Sequence, residues 1–203
     1  MDDAGKLSRS NCAVVLVDFL DGFLPGIRSI DRDLFAANVE GFCRATEALG
    51  LPRCVLGDEG GFRGRFFPII GELFAGAEHF GRHTPSAWRS GGFRDWAEAR
   101  RGEGRHRMVL GGISIDNCTM QTALDLRAAG FEVHVVVDVC GAESELVERA
   151  AIARLVQAGV VPMNWTQLAC EVMDDWESDE GDAIGGILAA HSRYGALGVP
   201  QPD

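Results

Sequence analysis

The sequence predicts an α/β fold: a single doubly wound parallel sheet with helices on both faces, in three α/β/α layers. Two observations support this prediction. Short runs of apolar and β-branched residues alternate with longer segments whose apolar residues recur at helical spacing. The runs are apolar on both faces, which is typical of strands in a parallel sheet that helices cover on both sides.

The predicted elements follow one another along the chain, and most of the strands end at Asp or Gly. The predicted strands are Cys12–Val17, Arg53–Leu56, a short run at about Ala77–Gly81, Met108–Leu110, Val133–Val137 and Val160–Trp165. The predicted helices are Leu34–Leu49, Ile115–Ala129 and Glu145–Ala158. A glycine follows each helix directly, as is common at helix C-termini.

Composition and charge exclude several classes of function. The chain has 203 residues without a linker or repeat, so residues 1–203 are predicted to form one domain with a full core. A net charge of −11 repels phosphate backbones and anionic lipids, which argues against nucleic-acid and membrane partners. The apolar runs are too short to span a bilayer, and the first residues lack a signal-peptide core. We therefore expect a cytoplasmic protein.

The sequence offers no cofactor or metal motif. There is no GxxxxGK[ST] or GxGxxG phosphate loop and no GxSxG elbow, and the five histidines show no DxH spacing. The six cysteines are scattered without a CxxC pair, unlike those of a disulfide scaffold or a zinc ribbon. Burial is the default expectation for each thiol. We predict neither metal nor cofactor.

The ends of the predicted strands locate the candidate site. In an open parallel sheet, ligands bind outside the carboxyl ends of the strands. Asp18, the loop at Asp58, the segment Gly111–Cys118 and Asp138 all follow predicted strands. We expect them to gather at one edge of the sheet.

Cys118 is the first candidate for a chemical role. It lies where the predicted strand ends and the next helix begins, which places its thiol in the first turn of that helix. Free N–H groups and the helix dipole stabilise a thiolate there, so we expect a lowered pKa. The alternative is a small buried residue that packs strand against helix.

Asp18, Arg82 and His83 are the candidates for its partners. Asp18 faces apolar neighbours at the end of the first strand, where a carboxylate suits general acid or base work. An Arg82 guanidinium at the same edge would keep Asp18 ionised and lower the pKa of Cys118. His83 is the alternative base of a Cys–His pair. Without a catalytic role, Asp18 would be a loop cap, Arg82 would belong to a structural ion pair and His83 would be a solvated loop residue.

Four segments in the right order resemble the isochorismatase-like cysteine hydrolases, which include nicotinamidases and N-carbamoylsarcosine amidases. They are VDFLDGF, RHTPSAW, GGISIDNCTMQTALDLRAAGFEVHVVVDV and QAGVVPMNWTQLACEVMDDW. The last segment is similar to the YcaC-related branch of that family. The resemblance runs from about Cys12 to Trp176 and implies an isochorismatase-like, Rossmann-like fold.

The resemblance also implies roles for individual residues. The family triad is Asp, Lys and Cys, so Asp18 would be the base and Cys118 the nucleophile that forms an acyl-enzyme. The backbone N–H groups of Ser114 and Cys118 would form the oxyanion hole, beside a cis peptide between Ile113 and Ser114. Such donors act on a developing oxyanion without reorganisation.

Two departures from the family pattern bear on function. The family lysine falls at Arg82, which keeps the charge but does not readily release a proton. The metal-binding histidines of nicotinamidases are missing, which argues against nicotinamide as the substrate.

We therefore expect a metal-independent hydrolase that acts on a C–N bond of a small amide, imide or carbamoyl compound. Its working residues would be Asp18, Arg82 and Cys118. The first alternative is an idle binding or scaffold protein on the same fold, because Arg82 replaces the lysine. A second alternative, a flavodoxin-like nucleotide binder, lacks a phosphate loop.

Substrate contacts and partners are less clearly marked. Phe19, Phe23 and Trp88 are candidate pocket residues, although aromatic residues beside loops usually serve packing. Arg63 and Arg65 lie in the loop after the second strand, either to attract a carboxylate-bearing substrate or as solvated surface.

The C-terminal part of the chain is expected to serve assembly. Residues 177–203 are predicted to be an arm or helix, and their apolar stretch AIGGILAAH would be buried against another subunit or against the helices of the sheet. The predicted partners are a small-molecule substrate and further copies of this chain.

Overall fold

Six strands form one parallel sheet in the computed structural model, which describes residues 5–193. They are β1 (Cys12–Val17), β2 (Arg53–Leu56), β3 (Glu78–Phe80), β4 (Arg107–Gly112), β5 (Glu132–Val136) and β6 (Val161–Met163). Their order is β3-β2-β1-β4-β5-β6, and neighbouring strands run parallel. The order reverses direction beside β1, so the doubly wound sheet that the sequence predicts is confirmed.

Helices cover both faces of this sheet. They are α1 (Arg32–Ala48), α2 (Pro68–Phe74), α3 (Gly91–Gly102), α4 (Cys118–Ala128), α5 (Glu145–Gln157), α6 (Trp165–Met173) and α7 (Gly181–His191). Strand β1 is buried throughout, with alternate residues in two separate cores. Val14 and Leu16 pack towards α1 and α6, while Val15 and Val17 pack towards α3 and α4. The central strand is thus apolar on both faces because helices exclude water from both.

The last predicted strand is too long at its C-terminal end. Asn164 accepts a hydrogen bond from the backbone N–H of Gln167 at 2.7 Å and thereby caps α6. Trp165 consequently begins a helix and does not end a strand. Helices α2, α3 and α6 were not predicted from the sequence, and α4 begins at Cys118, three residues after the predicted start at Ile115.

The C-terminal helix α7 packs against α1 of the same chain. Ile184 on α7 is fully buried, while Ile187 and Leu188 are half-buried against the same core. The apolar stretch was expected to be buried either against another subunit or against the helices of the sheet. In the described residues it packs against a helix of the same chain. The predicted role of residues 177–203 in assembly stays a prediction, and residues 194–203 lie outside the described part.

No helix within residues 5–193 has the length and apolarity that crossing a membrane requires.

Strands β1 and β4 lie very close together at their carboxyl ends. Val17 is paired with Gly112, and the backbone N–H of Ile113 donates to the carbonyl of Val17 at 2.9 Å. A Cβ atom on Gly112 would lie 1.9 Å from that carbonyl oxygen, and Gly112 has a φ of 152°. Only glycine allows this approach, which brings the chain after β4 beside the chain after β1.

We expect Gly112→Ala to lower the free energy of unfolding by about 3 kcal/mol or more, because its methyl group would overlap backbone atoms of β1. Urea unfolding measures this change. The control is Gly71→Ala in α2, where a Cβ meets nothing within 4 Å, and which should be neutral or stabilising by up to about 1 kcal/mol. A Gly112→Ala protein as stable as the parent would contradict the close approach.

Candidate functional site

A cavity of about 400 Å³ opens at the carboxyl end of the sheet, where the strand order reverses. Open α/β sheets bind their ligands at such a switch point. The residues that line the cavity come from the segments after β1, β2, β3 and β4. They are Asp18, Phe23, Gly57, Asp58, Phe62, Arg63, Arg82, His83, Thr84, Pro85, Asn117 and Cys118.

Asp18 and Arg82 form a buried ion pair in this cavity. Arg82 Nη1 donates to Asp18 Oδ1 at 2.8 Å, and Arg82 Nη2 donates to Asp18 Oδ2, so the pair is bidentate. The two side chains are only 7% and 5% exposed, respectively. Paired forks of this kind are strong and fix the orientation of both groups. The carboxylate that follows β1 is therefore held by the guanidinium that follows β3.

Glycines provide the space that this pair needs. Gly57, directly after β2, has a φ of 124°, and a Cβ there would lie 2.6 Å from Asp18 Oδ1. A Cβ on Gly81 would lie 2.1 Å from Asp58 Oδ1. Asp58 in turn accepts a hydrogen bond from the backbone N–H of Arg82 at 3.0 Å. The loop after β2 thus helps to position Arg82 through its backbone.

Cys118 is the first residue of α4 and contacts both members of the ion pair. Its thiol lies within hydrogen-bonding reach of the Asp18 carboxylate and of the Arg82 guanidinium. The side chain is half-buried, whereas Cys12, Cys43, Cys54 and Cys140 are buried and Cys170 is exposed. The structure therefore brings together the three residues that the sequence analysis selected from distant parts of the chain.

The acidity of the Cys118 thiol differs from the expectation. Burial raises the pKa of Cys118 to about 11, the negative charge of Asp18 adds to the rise, and the Arg82 charge opposes it. The expected lowering of the pKa by Arg82 and by the helix end is outweighed, because desolvation and Asp18 both disfavour a second negative charge. At pH 7, a pKa near 11 leaves roughly one thiol in 10⁴ ionised.

Two backbone N–H groups at or before the start of α4, those of Ser114 and Cys118, are the donors that the family resemblance implies. The peptide bond between Ile113 and Ser114 is cis, as the family resemblance implies. The carbonyl of Ser114 accepts hydrogen bonds from the N–H groups of Asn117 and Thr119. Among the described residues, no acceptor contacts the N–H of Ser114 or that of Cys118. Neither N–H group is therefore committed to an acceptor within residues 5–193.

His83 lines the cavity but does not contact the thiol. It is exposed, and within residues 5–193 its ring makes no hydrogen bond to Cys118. The geometry therefore favours Asp18 over His83 as the proton acceptor.

Of the three aromatic residues expected at the substrate, Phe23 alone lines the cavity. Phe19 is 1% exposed, and its ring packs 5.8 Å from that of Phe67 in the core. Trp88 packs against Phe131 at 5.8 Å and lines a separate depression beside α4. The placement of Phe19 follows from Asp18, whose φ of 49° turns the chain so that Asp18 faces the cavity and Phe19 the core.

Asp138 follows β5 at the same end of the sheet but stays outside the cavity. Its Oδ1 accepts the backbone N–H of Trp165 at 3.0 Å, so the carboxylate caps α6. Burial raises the pKa of Asp138 to about 6. Its place at the end of β5 thus serves the start of α6.

The cavity lining also includes four residues that sequence reasoning missed: Gly57, Thr84, Pro85 and Asn117. Gly57 was detectable as a glycine directly after a buried strand, and Asn117 as the neighbour of Cys118. Thr84 and Pro85 were detectable only as members of the RHTPSAW segment that carries the family resemblance. Within residues 5–193, no three His, Cys, Asp or Glu side chains are grouped as metal ligands would be.

Comparisons with known proteins cover most of the chain. The profile of the Isochorismatase domain matches residues 12–167. "Probable hydrolase YcaC" from Escherichia coli K12 is 30% identical over 191 residues, which are 93% of this chain and 88% of that protein.

Two solved structures have the same fold over nearly the whole chain. YcaC from Pseudomonas aeruginosa, with hexane-2,5-diol and covalent acrylamide, has a TM-score of 0.88 at 29% identity and covers 97% of this chain and 96% of its own. The YcaC gene product from Escherichia coli, an octameric hydrolase of unknown specificity, has a TM-score of 0.88 at 27% identity with the same coverage.

We expect the alkylation of Cys118 by iodoacetamide to accelerate about tenfold per pH unit between pH 7 and pH 9, because the thiolate fraction rises in that proportion below a pKa near 11. Peptide mapping measures the rate at Cys118. The protein Cys118→Ser confirms the assignment, and Cys170 serves as the exposed reference thiol. A rate that is already constant above pH 8 would indicate a preformed thiolate and contradict this reading of the site.

Proposed function

This chain belongs to the isochorismatase family, and from that membership and the site geometry we propose that it is a hydrolase that cleaves a C–N bond of a small amide, imide or carbamoyl compound through an acyl-enzyme on Cys118. The resemblance to the family and to its YcaC branch is confirmed by the profile match and the YcaC relatives. The observation that carries the proposal is the contact of the Cys118 thiol with the Asp18 carboxylate inside the cavity.

The first step forms the acyl-enzyme. Cys118 Sγ attacks the carbonyl carbon while its proton passes to the Asp18 carboxylate, and the carbonyl π electrons become an oxyanion. The free N–H groups of Ser114 and Cys118 stabilise that oxyanion. As the oxyanion collapses, the C–N bond breaks and the leaving nitrogen takes the proton from Asp18. An amine or ammonia departs, and a thioester remains on Cys118.

The second step hydrolyses this thioester. Asp18 accepts a proton from a water molecule, whose oxygen attacks the thioester carbonyl. The C–S bond then breaks, the sulfur recovers a proton from Asp18, and the carboxylic acid leaves. Asp18 thus acts twice as a base and twice as an acid, which requires a carboxylate that stays in place through the cycle.

The raised pKa of Cys118 favours transfer of the proton during attack over prior ionisation. With a pKa near 11, forming the free thiolate at pH 7 costs about 5 kcal/mol. Proton transfer to Asp18 in the same step avoids a second negative charge beside the first. Arg82 remains protonated throughout, so its contribution is to orient Asp18 and to offset its charge.

The relative from Pseudomonas aeruginosa adds chemical support. Its structure holds covalent acrylamide, a small amide-bearing electrophile. A relative that bonds covalently to such an electrophile is consistent with a nucleophilic side chain in this chain.

One observation favours a second candidate, the idle binding or scaffold protein. Both oxygens of Asp18 accept hydrogen bonds from Arg82, so each is already engaged before a proton arrives from Cys118. If this pair is too strong for proton transfer, Arg82→Lys should turn over amides that the parent leaves intact. A parent that is active by itself excludes this candidate.

We further propose that the chain acts as a homo-oligomer on small molecules. The Escherichia coli YcaC gene product, with the same fold over 97% of this chain, is octameric.

We expect Cys118→Ser and Asp18→Asn each to lower kcat/KM on a responsive amide by about 10³-fold or more, because one removes the nucleophile and the other the base. The measurement is the release of amine or ammonia from a panel of small amides, imides and carbamoyl compounds. Cys170→Ser, which changes an exposed cysteine outside the cavity, is the matched control and should retain full activity. A Cys118→Ser protein with parental activity would refute the proposal.

A further inference from the structure

Arg63 places an unpaired positive charge in the wall of the cavity. It ends the 3₁₀ turn Gly61–Arg63 in the loop after β2 and lines the same cavity as Cys118. Its Nε atom is buried without a hydrogen-bond partner. Among the described residues, the guanidinium of Arg63 makes no ion pair, and the ring of Phe62 lies beneath it at 5.8 Å. The positive charge of Arg63 is therefore not neutralised by any carboxylate of the described residues.

The loop that carries Arg63 is hydrogen-bonded to the segment that follows β1. The backbone N–H of Asp21 donates to the carbonyl of Arg65 at 2.8 Å, and the N–H of Arg65 donates to Asp21 Oδ1 at 2.9 Å. The two segments approach so closely that a Cβ on Gly22 would lie 2.1 Å from the carbonyl oxygen of Phe62. Arg63 is therefore held at the cavity wall by backbone contacts on both sides of the loop.

The other arginine of the cavity is already neutralised. Arg82 gives both terminal nitrogens to Asp18, and its side chain is 5% exposed. Asp58 also lines the cavity, but its carboxylate accepts the backbone N–H of Arg82 and makes no ion pair with Arg63. Within the described lining, Arg63 is thus the guanidinium that remains free for a bound anion.

We propose that Arg63 binds a carboxylate group of the substrate, so that the compound cleaved at Cys118 is a small amide or carbamoyl compound that is also a carboxylic acid. This inference rests on the proposed hydrolase function and names its substrate class. A guanidinium fork matches a planar carboxylate. A dianionic phosphate would meet twice the repulsion from Asp58 and from the net charge of −11. The monoanion is therefore the better fit.

The wall beside Arg63 suits the carbon skeleton of such a compound. Phe62 and Phe23 pack edge to face with ring centres 6.1 Å apart, and both line the cavity. Phe62 is 80% exposed, so part of its ring remains uncovered. A ligand with its carbonyl at Cys118 and its carboxylate at Arg63 would place its apolar portion along these rings.

Two alkylating reagents of similar size, one negatively charged and one neutral, test this inference without a known substrate. Iodoacetate carries a carboxylate and iodoacetamide a neutral amide, and with each the sulfur displaces iodide. We expect Arg63→Gln to lower the ratio of the iodoacetate rate to the iodoacetamide rate at Cys118 by about fivefold, since one half-exposed ion pair is lost. The rates are measured by peptide mapping at pH 8.5 on the full chain.

The control is Arg65→Gln, which removes the same charge two residues away, at an exposed position outside the cavity lining. It should leave the ratio at Cys118 within about twofold of the parent, because exposed charges at a distance are screened. An unchanged iodoacetamide rate in Arg63→Gln shows that the cavity is intact. The ratio at the exposed Cys170 serves as the internal reference in each protein.

Three results would overturn the inference, and they separate it from the proposed function. If Cys118 reacts with both reagents and Arg63→Gln leaves the ratio unchanged, the carboxylate site is wrong while the nucleophile stands. If Arg63→Gln and Arg65→Gln lower the ratio equally, the effect is one of net charge and not of a site. If neither reagent modifies Cys118 while Cys170 reacts, the proposed function fails and this inference fails with it.

Discussion

The buried pair of Asp18 and Arg82 is the interaction on which the arrangement of the site depends. It joins the chain after β1 to the chain after β3, across the end of β2, and both side chains are almost fully removed from water. Removing one partner of such a pair leaves an uncompensated buried charge, at a typical cost of about 3–5 kcal/mol. Three glycines leave the space that the pair and its surroundings need. A side chain at Gly57 would displace Asp18, one at Gly81 would displace Asp58, and one at Gly112 would displace β1.

The same pair sets the chemistry of Cys118. A thiol that approached a lone guanidinium would ionise readily, but this thiol contacts a guanidinium whose charge is already matched by a carboxylate. Burial then decides the balance in favour of the neutral thiol. In the proposed mechanism the nucleophile is therefore ionised during attack, with Asp18 as acceptor and the N–H groups of Ser114 and Cys118 as the oxyanion site. Arginine in place of lysine strengthens the hold on Asp18 and gives no second group that exchanges protons.

How much the sequence predicts depends on whether a property is local. Asp18, Arg82 and Cys118 each follow a recognisable strand, and parallel strands bring their ends to one edge, so their meeting was predictable from order alone. The direction of the Phe19 side chain was not predictable in this way, because it depends on the left-handed backbone conformation of Asp18. Trp88 packs on Phe131, a contact between residues far apart in sequence. The pKa of Cys118 was also beyond reach, because it depends on the depth of burial and the exact placement of three side chains. Trp165 was misassigned although Asn164, a common helix cap, stands before it.

The proposed hydrolysis passes through a thioester on Cys118, and hydroxylamine intercepts such an intermediate. Added during turnover of a responsive amide, hydroxylamine competes with water for a thioester and converts part of the product into a hydroxamate. The account predicts hydroxamate at the expense of carboxylate, together with a rapidly quenched adduct of the acyl mass that maps to Cys118. Turnover that yields carboxylate alone at every hydroxylamine concentration, with no adduct on Cys118 at any quench time, would contradict it.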